Sequence, residues 1–324
     1  MIRFASIVLA CALTITSAAA QGDGSNWPTR PVRFIVPYPP GGSTDTVARL
    51  TGAMLGARLG QQFVIENRTG ASGNIGTEAV ARAAPDGYTL GLASTTTHAL
   101  APLFFKNLSF DPLRDFSPVS LLGSSPFVLV VPPTLPAQDL KEFIALAKVK
   151  PGALSFGSAG VGSLAHLAAA LFETMAGVSL VHVPYKASAQ STPDLMAGRI
   201  DMQFATVPPT LALIRSGKLR ALGIASAQRS ALLPEVPTIA EAGLAGYDAS
   251  LWFAMVAPAA TPASIVGRLN RDIVAALATA EGKEAMFNQG IDAETTTPDG
   301  LAARFRDEIA KWRTVIEKSG MRPE

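Results

Sequence analysis

Short apolar stretches alternate with amphipathic stretches along the chain from Pro31 to its end. The apolar stretches are rich in Val, Ile, Leu and Phe and are bounded by Gly and Pro, which is typical of buried strands. They predict strands at Val32–Val36, Gln62–Glu66, Tyr88–Ala93, Phe127–Val131, Leu154–Gly157, Ser179–Val183, Ile200–Ala205, Leu219–Ala225 and Leu251–Ala257. Because helical stretches separate these strands, the pattern favours an α/β fold with mostly parallel sheets.

Two of the predicted helices have a readable start. Thr261-Pro262 and Thr297-Pro298 each place a hydroxyl side chain before a proline. We expect the threonine to cap the helix and the proline to take the first helical position, where its missing N–H costs nothing. The second helix carries one apolar stripe that is expected to be buried: Leu301, Phe305, Ile309, Trp312 and Ile316.

The first twenty residues have the layout of a secretory signal peptide. Arg3 precedes an apolar stretch from Phe4 to Ile15, and Ala18 and Ala20 supply the small residues of a cleavage site. The apolar stretch is shorter than the roughly 20 residues that a spanning helix needs. We expect residues 1–20 to be removed during export. The single cysteine, Cys11, would leave with them, so no disulfide, thiolate nucleophile or cysteine metal site is expected.

Composition narrows the class of protein. Only 16% of the 324 residues are charged, with 27 Lys+Arg against 25 Asp+Glu and no basic run, which argues against a nucleic-acid partner. A hydrophobic content of 48% excludes disorder, and no second apolar run is long enough for a multispan membrane protein. The length exceeds the roughly 250–300 residues that one core serves, so we expect two domains.

Three predicted strand-to-helix loops combine small residues with hydroxyls where a helix begins: Pro37–Asp45, Ser94–His98 and Gly157–Ser163. Helix N-termini carry unpaired N–H groups and a partial positive charge, and glycine lets the backbone approach a ligand closely. Such loops can bind anions without lysine or arginine. Ligands of open α/β sheets lie at the carboxyl ends of the strands, which is where these loops begin. The competing interpretation is turn chemistry alone, with Asp45 and Ser163 as helix caps.

Enzyme functions have weaker support in the sequence. Gly160–Ala165 fits the G-x-G-x-x-[GA] dinucleotide pattern, so an exported oxidoreductase stays open as an alternative, although no acidic residue follows the next strand to hold a ribose. Neither Ser158 nor Ser163 lies in a G-x-S-x-G elbow, and the histidines lack metal-binding spacing. We expect no catalytic residue, metal or cofactor. His166 is interpreted as structural, whereas His98 fits a structural or a ligand-binding role equally well.

Several motifs, in order along the chain, resemble the Bug-type solute-binding receptors of tripartite tricarboxylate transporters. The resemblance covers the chain from Trp27 onward and rests on Pro31–Asp45, Glu66–Gly76, Pro85–Leu90, Gly157–Ser163 with His166-Leu167, Val183–Lys186, Ser216–Leu222 and Leu233–Thr238. It implies a periplasmic binding protein of the Venus flytrap type, with two α/β domains joined by two crossing strands. We assign those strands to Phe127–Val131 and Leu251–Ala257, which gives a first domain of residues 27–125 plus 258–324 and a second of residues 126–250.

The same resemblance implies how the protein works. A small carboxylate or dicarboxylate would lie in the cleft, and hinge closure would serve uptake or sensing, with a membrane permease or a sensor as the partner of a monomeric receptor. Ala205 stands where some members have an acid, which makes an amino-acid ligand a poorer fit. The candidate ligand-binding residues are Tyr38, Pro40, Gly41, Gly42, Ser43, Asp45, Ser94, Thr95, Thr96, His98, Ser158, Ala159, Gly160, Gly162, Ser163, Ala205 and Thr206.

Overall fold

A computed structural model describes residues 26–185 and 188–319. The predicted signal peptide and Cys11 lie outside these residues. The strands are β1 (Val32–Val36), β2 (Phe63–Asn67), β3 (Thr89–Ser94), β4 (Phe116–Ser125), β5 (Phe127–Val131), β6 (Ser155–Ser158), β7 (Val181–Pro184), β8 (Met202–Thr206), β9 (Arg220–Ile224) and β10 (Leu251–Pro258). Every predicted strand is therefore present, with its ends shifted by no more than two residues.

The helices lie between these strands and at the C-terminal end. They are α1 (Ser43–Leu59), α2 (Asn74–Ala81), α3 (Ala101–Phe104), α4 (Leu140–Val149), α5 (Leu164–Ala176), α6 (Ser188–Met196), α7 (Val207–Arg215), α8 (Ala263–Leu277), α9 (Ala280–Phe287) and α10 (Pro298–Ser319). A 3₁₀ turn at Ala71–Gly73 precedes α2, and a π-helix at Thr95–Leu100 precedes α3. Among the described residues, no helix is both long and apolar enough to cross a bilayer.

The strands form two sheets of five, in the orders β2-β1-β3-β10-β4 and β7-β6-β8-β5-β9. In the first sheet β1 is parallel to β2 and β3, whereas β10 is antiparallel to both of its neighbours. In the second sheet β6 is parallel to β7 and β8, whereas β5 is antiparallel to both of its neighbours. The sheets are therefore mixed, and the expectation of mostly parallel pairing was wrong. Helices between the strands confirm the α/β class.

The chain crosses between the sheets immediately before β5 and before β10. Pro126 alone separates β4 in the first sheet from β5 in the second. The chain then returns from β9 in the second sheet to β10 in the first. Ala249, two residues before β10, is still tied to the end of β9, because its N–H donates to the Ala225 carbonyl at 2.7 Å. Each of the two predicted hinge strands is thus an internal strand of one sheet. A strand that follows a crossing enters its sheet from the opposite end, which explains the antiparallel pairing of both.

One strand, β4, was not predicted from the sequence. Its serines, Pro118 and Gly123 dilute the apolar pattern, although nearly all of the strand is buried. The register with β10 shifts twice along the pair, once opposite Gly123 and once opposite Pro118. Such irregularities accommodate residues that a regular ladder excludes. Thr296, just before α10, takes up one backbone donor of β4: its hydroxyl accepts from the Leu121 N–H at 3.1 Å.

The C-terminal helix α10 packs against both halves of the protein. Its predicted apolar stripe is buried along its whole length. The helix contacts β4 and the π-helix beside the first sheet, and it contacts α5, which connects β6 and β7 of the second sheet. The Thr297 hydroxyl accepts from the Gly300 N–H at 3.1 Å, as a helix cap should. The other predicted cap was wrong: Thr261 donates to the Pro258 carbonyl at 2.7 Å, and α8 starts at Ala263.

Candidate functional site

The loop between β1 and α1 presents its backbone to open space. Pro40, Gly41, Gly42 and Ser43 are exposed, and a Cβ added to either glycine would meet no heavy atom within 4 Å. Gly42 is the N-cap of α1 and makes no side-chain cap bond, while Gly41 has a φ of 89°, a conformation that favours glycine. The first N–H groups of a long helix therefore face solvent without a side chain over them.

Asp45 holds this loop in place from behind. Its carboxylate is buried and accepts from the Gly41 N–H at 3.0 Å, from Arg49 Nε at 2.8 Å and from Asn67 Nδ2 at 2.9 Å. Burial raises the pKa of Asp45, but the hydrogen bonds from Arg49, Gly41 and Asn67 outweigh it and hold the pKa below its usual value. An ionised, fully engaged carboxylate is unsuited to touching an anion, so the geometry makes Asp45 a positioning residue.

Tyr38 joins three segments at the edge of the first sheet. Its hydroxyl lies 3.4 Å from the Ser72 carbonyl and 3.4 Å from Ser94 Oγ. Its ring is half-buried against Gly73, where an added Cβ would lie 3.2 Å from Tyr38 Cζ. Asn67 Nδ2 also donates to the Tyr38 carbonyl at 3.0 Å, which ties the tyrosine to the loop that Asp45 anchors.

The hydroxyl residues after β3 form a π-helix instead of an open loop. Ser94 and Thr97 cap it reciprocally: Ser94 Oγ accepts from the Thr97 N–H at 3.4 Å, and Thr97 Oγ1 accepts from the Ser94 N–H at 3.1 Å. Thr95 is buried, and its hydroxyl accepts from the Trp252 N–H at 3.0 Å next to the second crossing. Of this run, Thr96 keeps partial exposure at the edge of the sheet.

The ring of His98, a candidate ligand-binding residue, points into the core. Its side chain has no solvent exposure, and its ring centroid lies 4.8 Å from Phe116 and 5.0 Å from Phe305. Its Nδ1 lies 3.0 Å from Thr97 Oγ1. Burial lowers the pKa of His98 to about 3, so the ring is neutral. The π-helix turns this side chain inward, and sequence spacing gave no sign of that turn.

A histidine network supports the third loop from below. Ser158 Oγ lies 2.6 Å from His182 Nε2 and accepts from the Gly160 N–H at 3.1 Å. The His166 and His182 rings stack with centroids 4.0 Å apart, and the Gly162 N–H donates to His166 Nδ1 at 3.2 Å.

The start of α5 completes this arrangement. Ser163 caps the helix by accepting from the His166 N–H at 3.2 Å, which confirms its predicted capping role. Ser158 and Ser163 thus shape the loop, while Ala159 is exposed and Gly160 is half-buried.

A cavity of about 280 Å³ lies where the second and third loops meet. It brings Thr96 and Gly162, both predicted, together with residues that were not predicted. The complete lining is Ser72, Thr96, Leu100, Ala101, Phe104, Phe105, Val161 and Gly162. Residues that follow β2 and β3 of the first sheet form one side, and the loop between β6 of the second sheet and α5 forms the other.

The remaining candidates lie away from this cavity. Gly41, Gly42 and Ser43 face open space on their own loop, as described above. Ala205 is buried at the end of β8, and Thr206 is the N-cap of α7, with its carbonyl accepting from Thr210 Oγ1 at 2.8 Å. The part of the chain that the structure describes contains no cluster of three His, Cys, Asp or Glu side chains that could hold a metal.

A family model described as "Tripartite tricarboxylate transporter family receptor" matches residues 47–321, most of the chain. The chain belongs to this receptor family. The match confirms the resemblance deduced from the ordered motifs, and it does not support the dinucleotide alternative at Gly160–Ala165. In the structure the Gly162 N–H of that motif is already engaged by His166.

Individual relatives agree with the family assignment. The receptor is 40% identical to the protein BugT of Bordetella pertussis over 314 residues, 97% of this chain and 96% of BugT. It superimposes on R. palustris Rpa4515, solved with adipate, with a TM-score of 0.74 at 38% identity over 91% of this chain and 98% of that one. It also superimposes on MatC from Rhodopseudomonas palustris, solved with bound malate. The TM-score is 0.70 at 34% identity, over 90% of this chain and 100% of MatC.

The histidine network of the receptor predicts a pH-dependent stability. Burial and the neighbouring His182 lower the pKa of His166 from 6.5 to about 4. A lowered histidine pKa means that the unfolded chain takes up a proton first, so the free energy of unfolding should fall as the pH drops from about 6.5 towards 4. His166→Gln should flatten this slope, by at most about 1.4 kcal/mol per pH unit. Urea unfolding at several pH values measures it.

The control for this measurement is built into the protein. His98 also titrates below its usual range and gives a slope of the same sign in both proteins. The difference between wild type and His166→Gln therefore isolates the stacked pair. Identical slopes for the two proteins would contradict the prediction.

Proposed function

We propose that this receptor captures a small organic carboxylate between its two sheets in the periplasm and hands it to a membrane permease of the tripartite type or to a sensor. The observation that carries the proposal is the cavity that Thr96 and Ser72 share with Val161 and Gly162. A ligand there contacts both halves of the chain at once. The structures solved with adipate and malate, both carboxylates, support the same ligand class.

Capture would use hinge closure between two domains. The sheets suggest a first domain of residues 27–125 and 251–324 and a second of residues 126–250, which moves the predicted hinge strand at Leu251 into the first domain. A ligand that contacts both domains only when they are closed favours the closed state by its differential affinity. The crossings at Pro126 and at residues 249–250 would be the pivots.

The anion would be held without a basic side chain. The described residues that line the cavity include no lysine, arginine or histidine. The exposed backbone of Gly42 and Ser43 at the start of α1 would supply N–H groups as closure brings the loops together, while Gly41, whose N–H donates to Asp45, would shape the loop. Thr96 would add a hydroxyl, while Gly160 and Gly162, whose N–H groups donate to Ser158 and His166, would shape the third loop beside it. Tyr38, Asp45, Ser94, Ser158 and Ser163 would position these groups.

The remaining features of the proposal follow from the receptor role. Residues 1–20 would direct export, and the receptor would act as a monomer without a cofactor and without chemical turnover. Ala159 would close over the ligand from the third loop, and Ala205 and Thr206 would bound the far side of the cleft.

A thermal-shift experiment with organic acids tests the function. Purified protein, shown by mass spectrometry to be ligand-free, is heated with a panel of mono- and dicarboxylates. A bound acid should stabilise the fold by about 2.7 kcal/mol at 100 times its Kd. Methyl esters of the same acids serve as controls and should give no shift. The acid should be recovered unchanged after incubation. If no acid raises the melting temperature, the proposal fails; if the acid is consumed, the protein is an enzyme.

A further inference from the structure

We propose that the receptor selects a monocarboxylate with an apolar body, a chain of about six carbons or a single ring, over a dicarboxylate of the same length. The inference rests on the proposed carboxylate function and specifies its ligand. It is drawn from the side chains that line the cavity between the two sheets.

One wall of that cavity is apolar and incompletely covered. Leu100 and Ala101 are buried behind it, whereas Phe104 and Phe105 are only half-buried. Val161 faces them from the third loop and is 70% exposed. Apolar surface left in water costs about 25 cal/mol per Å². A ligand that covers these side chains recovers that free energy, and exposed apolar residues around a concave site are typical of ligand pockets.

The two sides of the cavity are set close together. A Cβ added to Gly162 would lie 3.3 Å from Phe104 Cε1, so the third loop already reaches the aromatic wall. Gly162 has a φ of 75°, which a residue with a side chain adopts at a cost. The absence of a side chain at this position therefore lets the third loop approach Phe104 closely, so one small ligand can touch both sides of the cavity.

The volume fits an apolar body with one polar end. The cavity holds about 280 Å³. An apolar cavity of about 150 Å³ accommodates benzene. A ring or a six-carbon chain therefore fits along the wall, with room left for one carboxylate at the end where Ser72 and Thr96 provide hydroxyl groups.

A second carboxylate would have no partner at the other end. None of the described residues lining the cavity is charged. An ionised group moved from water to the end without Ser72 and Thr96, where it meets neither a hydroxyl donor nor a counter-charge, loses its hydration and gains nothing in return. The lining thus disfavours a ligand with acids at both ends, unlike the adipate held by the R. palustris neighbour.

Hexanoate and adipate form a matched pair for the test, because they have the same number of carbons and differ by one carboxylate. Titration calorimetry with the full mature protein should show hexanoate binding at least about tenfold more tightly, a difference of about 1.4 kcal/mol. Adipate binding as tightly or more tightly overturns the inference and leaves the receptor function standing. If neither acid binds while another carboxylate of the panel does, the inference is likewise overturned and the receptor function still stands. If no carboxylate binds at all, both proposals fail.

A charge placed on the wall should reverse the preference. Val161→Lys offers the second carboxylate a partner at an exposed position, so folding should be unaffected. The ratio of adipate to hexanoate affinity should rise at least about tenfold. Val149→Lys is the matched control, because Val149 is 76% exposed at the end of α4, away from the cavity. A ratio that Val161→Lys leaves unchanged, or that Val149→Lys raises equally, overturns the inference.

Discussion

Replacing Trp312 by alanine is expected to lower the free energy of unfolding by about 3–5 kcal/mol. The side chain has no solvent exposure and belongs to the core cluster that α10 shares with Leu171 and Phe172 of α5. Its Nε1 also donates to Glu308 Oε2 at 2.9 Å, and Glu308 is itself buried. The substitution therefore leaves a large void and removes one donor from a buried carboxylate.

Two further variants separate these effects. Trp312→Phe keeps most of the packing and loses the N–H, so its destabilisation should be clearly smaller. Phe287→Ala removes an aromatic ring that is 38% exposed and should cost little. Urea unfolding of the three variants provides the measurement. The free energies are compared where the slope against urea concentration, the m-value, is the same. If Trp312→Ala lowers the free energy of unfolding by less than about 1 kcal/mol, the packing of α10 on both sheets does not stabilise the fold as proposed.

Gly42→Val is expected to weaken carboxylate binding by about 100-fold or more while leaving the fold stable. The φ of Gly42 is −83°, which any residue adopts, and no heavy atom lies within 4 Å of an added Cβ. A branched side chain there would cover the first N–H groups of α1, where the proposed anion contacts are made. The loss should therefore appear in affinity and not in melting temperature.

The control for this variant is another glycine with room for a side chain. Gly267 lies in α8, where an added Cβ would meet only Arg271 Nη1, at 3.5 Å. Gly267→Val should bind normally, and Gly42→Ala should show an intermediate loss. Calorimetry with any acid that stabilises the wild type measures all three. Full affinity in Gly42→Val would remove the first loop from the binding site.

The local parts of the fold could be predicted from the sequence. Strands β1 and β5 have the predicted bounds, because β5 is a continuous apolar run, β1 is apolar except for Arg33, and a proline flanks each strand on both sides. The start and the buried face of α10 follow from Thr297-Pro298 and the spacing of its apolar residues. These features depend on neighbouring residues only, and the pattern along the chain contains that information.

Features that depend on distant contacts could not be predicted. Strand β4 contains Pro118 and Gly123 and is stabilised by pairing with β10, which is far away in the sequence. The burial of His98 requires rings from Phe116 and Phe305.

The cavity wall shows the same limit at the candidate site. Phe104 ends helix α3, which follows β3 of the first sheet, whereas Val161 lies in the loop after β6 of the second sheet, and each alone is an ordinary apolar residue. The glycines and hydroxyls of the three loops were visible in the sequence, whereas their apolar partners were not.

The position of β10 in the first sheet determines when that sheet can form. β3 and β4 follow one another in the chain but do not pair, because β10 lies between them. Until residue 251 is available, both strands have an unpaired edge, and the whole second sheet is synthesised before that gap closes. Pairing across such a sequence separation makes folding slow. A chain that cannot complete its first sheet until residue 251 has been made therefore stays without one of its two native sheets through most of its synthesis.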